Sequence, residues 1–274
     1  MQTVKSEERH IEVPGGQIFV SRWWPAESSD KSAIVLLHDS LGCVALWREF
    51  PAQLSEKLGR EVIAYDRLGF GQSSVVSEPP SLRFIDEEAE SVFPALCSSL
   101  GLGTVVPFGH SVGGGMAIAI ASIHSQSSLC SSVITESAQA FVEEQTRRGI
   151  EAAKQFFNQP GHLDKLSKYH GEKARWVLEA WTETWLHPNF SDWSLSSHLK
   201  NLSCPVLAIH GDTDEYGSVA FPKLIAEESS GYSQALVLEG FGHVPHKENP
   251  GVVLAATERF LLEVEEPSVV AVGA

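Results

Sequence analysis

The chain has 274 residues, 43% of them hydrophobic and 20% charged, and carries a formal net charge of −15. These are globular values with chain enough for one large core, and the acidic balance argues against nucleic acid or an anionic membrane as partner, since both are bound through clustered Lys and Arg. No apolar run reaches the length of a bilayer span and the first ten residues hold no signal-like apolar core, so a cytoplasmic location is expected.

The first predicted element is a hairpin, Ile11 to Val20, turning at Gly15-Gly16. Ser32 to His38 is apolar without alternation, as in a strand covered on both faces, and it runs into the loop His38-Asp39-Ser40-Leu41-Gly42. A helix over Leu46 to Leu58 precedes a second buried strand, Glu61 to Asp66, and the loop Asp66-Arg67-Leu68-Gly69-Phe70-Gly71-Gln72-Ser73. A helix over Arg83 to Leu100, with Pro94 as an irregularity, leads to the strand Val105 to His110.

That strand ends in Gly109-His110-Ser111-Val112-Gly113, a G-x-S-x-G pattern opening a helix of small apolar residues. This reads as a nucleophile elbow. Glycine is needed at both flanks because a side chain at Gly109 or Gly113 would strike neighbouring backbone, and the N-terminal N–H groups of the following helix sit where an oxyanion would form. Ser132 to Glu136 is the next strand.

From residue 142 to 198 the strand pattern stops. Helices are expected over Val142 to Asn158, Leu163 to His170 and Lys173 to Leu186, which divides the chain into a core domain (1–141 and 199–274) and a helical cap (142–198). Charges in the cap nearly cancel, so the acidic excess lies on the core. Trp176, Trp181, Trp185 and Trp193 all fall in the cap. Trp181 and Trp185 share a helical face, and packing of the cap onto the core accounts for them better than a substrate pocket does, although both are candidate substrate-binding residues. Strand, helix, strand, helix then follow over Pro205 to His210, Val219 to Glu228, Gln234 to Glu239 and Gly251 to Glu263, with Glu265 to Ala274 as a tail. Repeated β-α units require a mostly parallel sheet wrapped by helices, an α/β fold with its functional loops at the carboxyl ends of the strands.

Cys43, Cys97, Cys130 and Cys204 are scattered and fit buried reduced thiols. No cluster has metal-ligand spacing, so neither a metal nor another cofactor is implied. A serine nucleophile needs a base, and the base needs a carboxylate. Both follow at strand ends: Asp212 and Asp214 after Pro205 to His210, and His243 after Gln234 to Glu239. Glu136 is a further carboxylate at a strand end, whereas His110 and His246 read as structural.

With this order of Ser, Asp and His, the chain resembles the α/β-hydrolase superfamily over nearly its whole length. The resemblance implies Ser111 as nucleophile, His243 as general base and acid, and Asp214 as orienting acid, with Asp212 and Glu136 as alternatives. It also implies an oxyanion hole from the N–H groups of Ser40 and Val112. Asp39 stands where many relatives have glycine, so it is expected to point away or to pair with a donor. The loop from Asp66 to Ser73 resembles the family's D-x-x-G-x-G-x-S turn.

The implied activity is that of a serine hydrolase acting on a small carboxylic ester, thioester or lactone. Alternatives are a C–C bond hydrolase of ring-cleavage products and an aminopeptidase holding an amine on Glu143, Glu144, Glu179 or Glu183. A ligand receptor or cofactor-free oxygenase on the same fold is a reading from another class. The expected partner is a small acyl substrate, with a homodimer left open.

Overall fold

The computed structural model describes residues 4–27 and 30–265. Eight strands form one sheet in the order β1-β2-β4-β3-β5-β6-β7-β8. β1 (Val4–Val13) and β2 (Gly16–Pro25) are an antiparallel ribbon, and β2 pairs antiparallel with β4 (Val62–Tyr65). From there the sheet is parallel through β3 (Ala33–Leu37), β5 (Val105–His110), β6 (Val133–Glu136), β7 (Val206–Gly211) and β8 (Ser233–Leu238). Every residue of β3, β4, β5, β6 and β7 is buried, as their unbroken apolar runs demand. The opening hairpin is longer than predicted. Lys5 to His10, polar and exposed, gain their ladder from β2 rather than from burial.

α1 (Phe50–Leu58) and α11 (Pro250–Glu265) cover one face of the sheet around Trp47, Phe108 and Phe260. α4 (Val112–Ile123), α9 (Ala220–Glu228) and the helices between β4 and β5 cover the other. Two predicted helices begin differently from expectation. Residues 44–47 form a separate 3-10 turn before α1, broken at Arg48 with φ 52°. The segment after β4 divides into α2 (Phe84–Glu87), a π turn over 88–92 and α3 (Phe93–Leu100). Pro94 thus sits in the first turn of α3, where its missing N–H costs no bond, and the irregularity lies just upstream. Of the predicted tail only Glu265 is described: it closes α11 and accepts from both terminal guanidinium nitrogens of Arg60 at 2.8 and 2.7 Å, while residues 266–274 lie outside the described part.

Between β6 and β7 the chain forms α5 (Glu144–Phe157), α6 (Asp164–His170), α7 (Ala174–Trp185) and α8 (Ser196–Leu199). Its entry and exit are stitched together by Leu195 N–H to Ala140 O at 2.8 Å and a Phe141–Ser194 bridge. α8 returns to the core, with His198 3.0 Å from Asp86 and 3.3 Å from the Ser122 hydroxyl. Among the described residues, no helix is long and apolar enough to cross a membrane.

β3, β5, β6, β7 and β8 are parallel neighbours in chain order, so their carboxyl ends form one continuous edge. At roughly 4.8 Å per strand, residues following each of them come within reach of one another. At the β5 end, a Cβ on Gly109 would overlap the Gly113 carbonyl, and one on Gly113 would overlap the carbonyl of Leu37. Since both obstacles are backbone, Gly113→Ala should lower stability by about 3 kcal/mol, a fall in Tm of roughly 5 °C by thermal unfolding. An unchanged Tm would show that the turn has slack.

Candidate active site

Ser111 is buried at the turn from β5 into α4 with φ 56° and ψ −125°. Such a conformation costs a non-glycine residue about 1–3 kcal/mol. It is held by Ser111 N–H donating to Glu136 O and Gly114 N–H donating to Ser111 O, both at 2.8 Å. Val112 opens α4, so its N–H belongs to the set that has no acceptor within the helix. Ser40, in the turn after β3, lines two cavities, and Val112 lines one of them.

After β7, the side chain of Asp214 is fully buried and accepts the Tyr216 N–H at 2.8 Å. His243, after β8, donates from Nδ1 to both Asp214 oxygens, at 2.9 and 2.8 Å. Burial pushes the Asp214 carboxyl up, but the His243 hydrogen bond and charge, with the Tyr216 N–H, outweigh it and hold the group below the usual carboxylate range. The two alternative acids go elsewhere. Asp212 is exposed and accepts the Gly240 N–H at 2.7 Å, while Glu136 is buried and takes the Nδ1–H and N–H of His246 at 2.9 and 2.8 Å.

Gln139, in the loop after β6, is a residue that the sequence pattern does not single out. The Ser111 hydroxyl donates to its Oε1 at 3.3 Å. The signal lay in its place just beyond a strand end, between small residues. Asp39 is paired: its Oδ1 accepts the Leu41 N–H at 2.8 Å and its Oδ2 lies 3.3 Å from His110 Nδ1.

Ser111, His243 and Gln139 line a cavity of about 250 Å³, walled by Ile150 and Tyr216. A second cavity of about 350 Å³ extends past Val112, Met116 and Phe84. Ser40, Trp181 and Trp185 line both. The two tryptophans therefore pack and face cavity space at once: Trp185 is 2% exposed within the core, and Trp181 rests on it. Glu143, Glu144, Glu179 and Glu183 line neither cavity. Glu143 accepts from Ser218, and Glu144, Glu179 and Glu183 face Arg148, Arg175 and Lys154.

The loop from Asp66 to Ser73 is a turn that also seats α6 and α7. Asp66 accepts the N–H groups of Val44 and Gln72, both at 2.6 Å, and a Cβ on Gly69 would overlap the Trp176 ring. His170 accepts the Gly71 N–H on Nδ1 at 2.9 Å and bonds Leu41 O through Nε2 at 3.0 Å, which requires the neutral ring. Burial pulls its pKa below the ordinary imidazole value, against the Leu41 hydrogen bond and with the help of Lys173. Between the lowered folded value and the ordinary one near 6.5, the unfolded chain binds the extra proton, so stability is complete above that window and declines as pH falls through it. Denaturant unfolding should show this acid loss reduced in His170→Gln. An equal loss in both proteins would free His170 of the role.

A family model described as the alpha/beta hydrolase family matches residues 34–257. The chain belongs to the alpha/beta hydrolase family. A proline iminopeptidase of Lactobacillus helveticus (strain DPC 4571) is 24% identical to this alpha/beta hydrolase over 276 residues, covering 88% of this chain and 93% of its own. Among solved structures, a 2-hydroxy-6-oxo-6-phenylhexa-2,4-dienoate hydrolase from Rhodococcus sp. strain RHA1 superposes with a TM-score of 0.75 at 19% identity, over 96% of this chain and 99% of its own. The carboxylesterase CesB of Bacillus subtilis gives 0.67 at 20% identity, over 94% and 92%. These structural likenesses concern the fold of an alpha/beta hydrolase and leave its substrate to the site.

Proposed function

We propose that this protein is a serine hydrolase that cleaves a small carboxylic ester, thioester or lactone through an acyl-enzyme on Ser111. The observation that carries the reading is the two-oxygen contact of Asp214 with His243 Nδ1 beside a serine held at positive φ. With Nδ1–H fixed on the carboxylate, Nε2 keeps its lone pair and serves as base. The Ser111 hydroxyl gives its proton to Nε2 as its oxygen attacks the carbonyl carbon. The N–H groups of Ser40 and Val112 receive the oxyanion, and its collapse expels the alcohol or thiol, which takes the proton from His243. Water repeats the sequence and frees the acid. A serine hydroxyl resting on Gln139 before substrate binds suits this scheme, because catalytic hydrogen bonds tighten in the complex.

The cavity around Ser111, about 250 Å³, lies near the lower end of ligand pockets, which run from about 300 Å³ upward, and suits a small acyl group. The adjoining aromatic cavity suits the other half of the substrate. The cap over residues 142–198 would then set substrate shape. The test is labelling by a fluorophosphonate, with mass spectrometry to locate the adduct and turnover of p-nitrophenyl acetate alongside. An adduct on Ser111 with multiple turnover supports the reading; a folded protein that takes no label overturns it.

A second reading, an aminopeptidase, has one specific support besides the full-length relative: Glu215 is an exposed carboxylate on the wall of the Ser111 cavity. Hydrolysis of prolyl p-nitroanilide, lost in Glu215→Gln while p-nitrophenyl acetate is still cleaved, would favour it over the first.

A further inference from the structure

We propose that Asp39 and His110 form a charged positioning pair that ties the turn carrying Ser40 to the loop carrying His243, and that turnover requires His110 to be protonated. The proposal rests on the roles of Ser111 and His243 given above. His110 is 1% exposed, and both of its ring nitrogens meet acceptors. Nδ1 lies 3.3 Å from Asp39 Oδ2, and Nε2 lies 2.8 Å from the backbone carbonyl of His243. Neither a carboxylate nor a carbonyl has a proton to give, and a neutral imidazole has one N–H. The ring therefore satisfies both contacts only as the imidazolium.

Its surroundings agree. Asp39 faces it from the turn after β3 and Glu136 from the end of β6. The rings of His243 and His246 lie 5.0 and 5.1 Å away, and Trp47 meets it edge-on at 6.3 Å. Lys247 acts on Asp39 from α10 (Pro245–Glu248). Burial pulls the His110 pKa down, but the Asp39 hydrogen bond and charge, followed by Glu136 and the His243 carbonyl, outweigh it and leave it raised. Burial likewise pushes Asp39 up, and the His110 hydrogen bond and charge reverse this, keeping the carboxyl far below the carboxylate range. Ligand atoms of His110, Glu136 and His246 lie within 4.8 Å of one another, yet His110 Nδ1 is ion-paired with Asp39 and His110 Nε2 and His246 Nδ1 already hydrogen-bond, so the cluster reads as a network and not as a metal site.

One ring thus connects three parts of the machinery. It neighbours Ser111 in sequence, it fixes the backbone of the base, and through Asp39 it shapes the Ser40 turn. Its positive charge also neutralises the carboxylate that precedes the oxyanion donor. When His110 loses its proton, one of the two links breaks and the charge of Asp39 is left uncovered beside the forming oxyanion.

The experiment combines imidazole 15N NMR with the pH dependence of p-nitrophenyl acetate turnover, using histidine-labelled wild type, Asp39→Asn and His110→Gln, the last also assigning the His110 signals. In the wild type both His110 nitrogens should carry protons at neutral pH and titrate above the ordinary value near 6.5, and kcat should fall on the alkaline side with that titration. Asp39→Asn should move both events to lower pH and reduce kcat about 10- to 100-fold with KM little changed, as expected for a misplaced catalytic group. His110→Gln keeps an N–H for the His243 carbonyl but leaves the Asp39 charge uncovered at every pH, so its kcat should be low throughout and show no alkaline limb. A singly protonated His110 in the folded wild type, or an alkaline limb and a titration unmoved by Asp39→Asn, would overturn the pair. Absence of turnover in a wild type whose His110 is doubly protonated would instead overturn the hydrolase reading.

Discussion

Ser111→Ala should abolish turnover of p-nitrophenyl acetate, with kcat falling on the order of 10⁶-fold, because the proposed scheme builds its acyl-enzyme on the Ser111 oxygen. Its fold should survive. Alanine meets the same φ of 56° as serine, and the hydroxyl's hydrogen bond of 3.3 Å to Gln139 is worth about 1 kcal/mol. Turnover within tenfold of wild type, in a protein with unchanged circular dichroism, would remove Ser111 from the chemistry. It would then favour oxygen-dependent or base-only reactions at His243.

Asp214→Asn should be nearly as severe while changing almost nothing in shape. An amide in place of the carboxylate can present its NH₂ to His243 Nδ1, which would force the ring into the tautomer with Nε2 protonated and no longer a base. A loss in kcat of about 10³- to 10⁴-fold is expected. The 15N spectrum of His243 should report the exchanged tautomer. Because the Asp214 side chain is fully buried and also accepts the Tyr216 N–H at 2.8 Å, the asparagine must turn its oxygen toward Tyr216, which reinforces the wrong orientation. A variant with near-normal kcat would place the orienting acid elsewhere, and Asp212, exposed and bonded to Gly240, would be the next to replace.

The parallel part of the sheet was legible because burial on both faces leaves a plain mark, the uninterrupted apolar runs that became β3, β4, β5, β6 and β7. The elbow was legible for a steric reason that the backbone overlaps at Gly109 and Gly113 bear out. Placement after strands of one parallel sheet brings Asp212, Asp214 and His243 to one edge, and the family resemblance singles out Asp214, which contacts His243. What escaped depends on contacts between loops. Neither the hydrogen bond from Ser111 to Gln139 nor the link from Asp39 through His110 to His243 has a periodicity, since each joins segments separated by a whole strand and helix. The outer half of β1 escaped for the opposite reason: its ladder with β2 satisfies backbone groups and buries little, so hydrophobicity is silent there. For Trp181 and Trp185 the sequence favours packing and leaves a pocket role open, because helical spacing reports which face is covered and says nothing about gaps beneath it.

Trp181, Trp185 and Ser40 are common to the walls of both cavities. In the proposed scheme Ser40 also supplies an oxyanion N–H, so only the two indoles divide the space without entering the chemistry. Exchanging either indole would redraw how the two halves of a substrate share that space, while Ser111, Asp214 and His243 follow β5, β7 and β8.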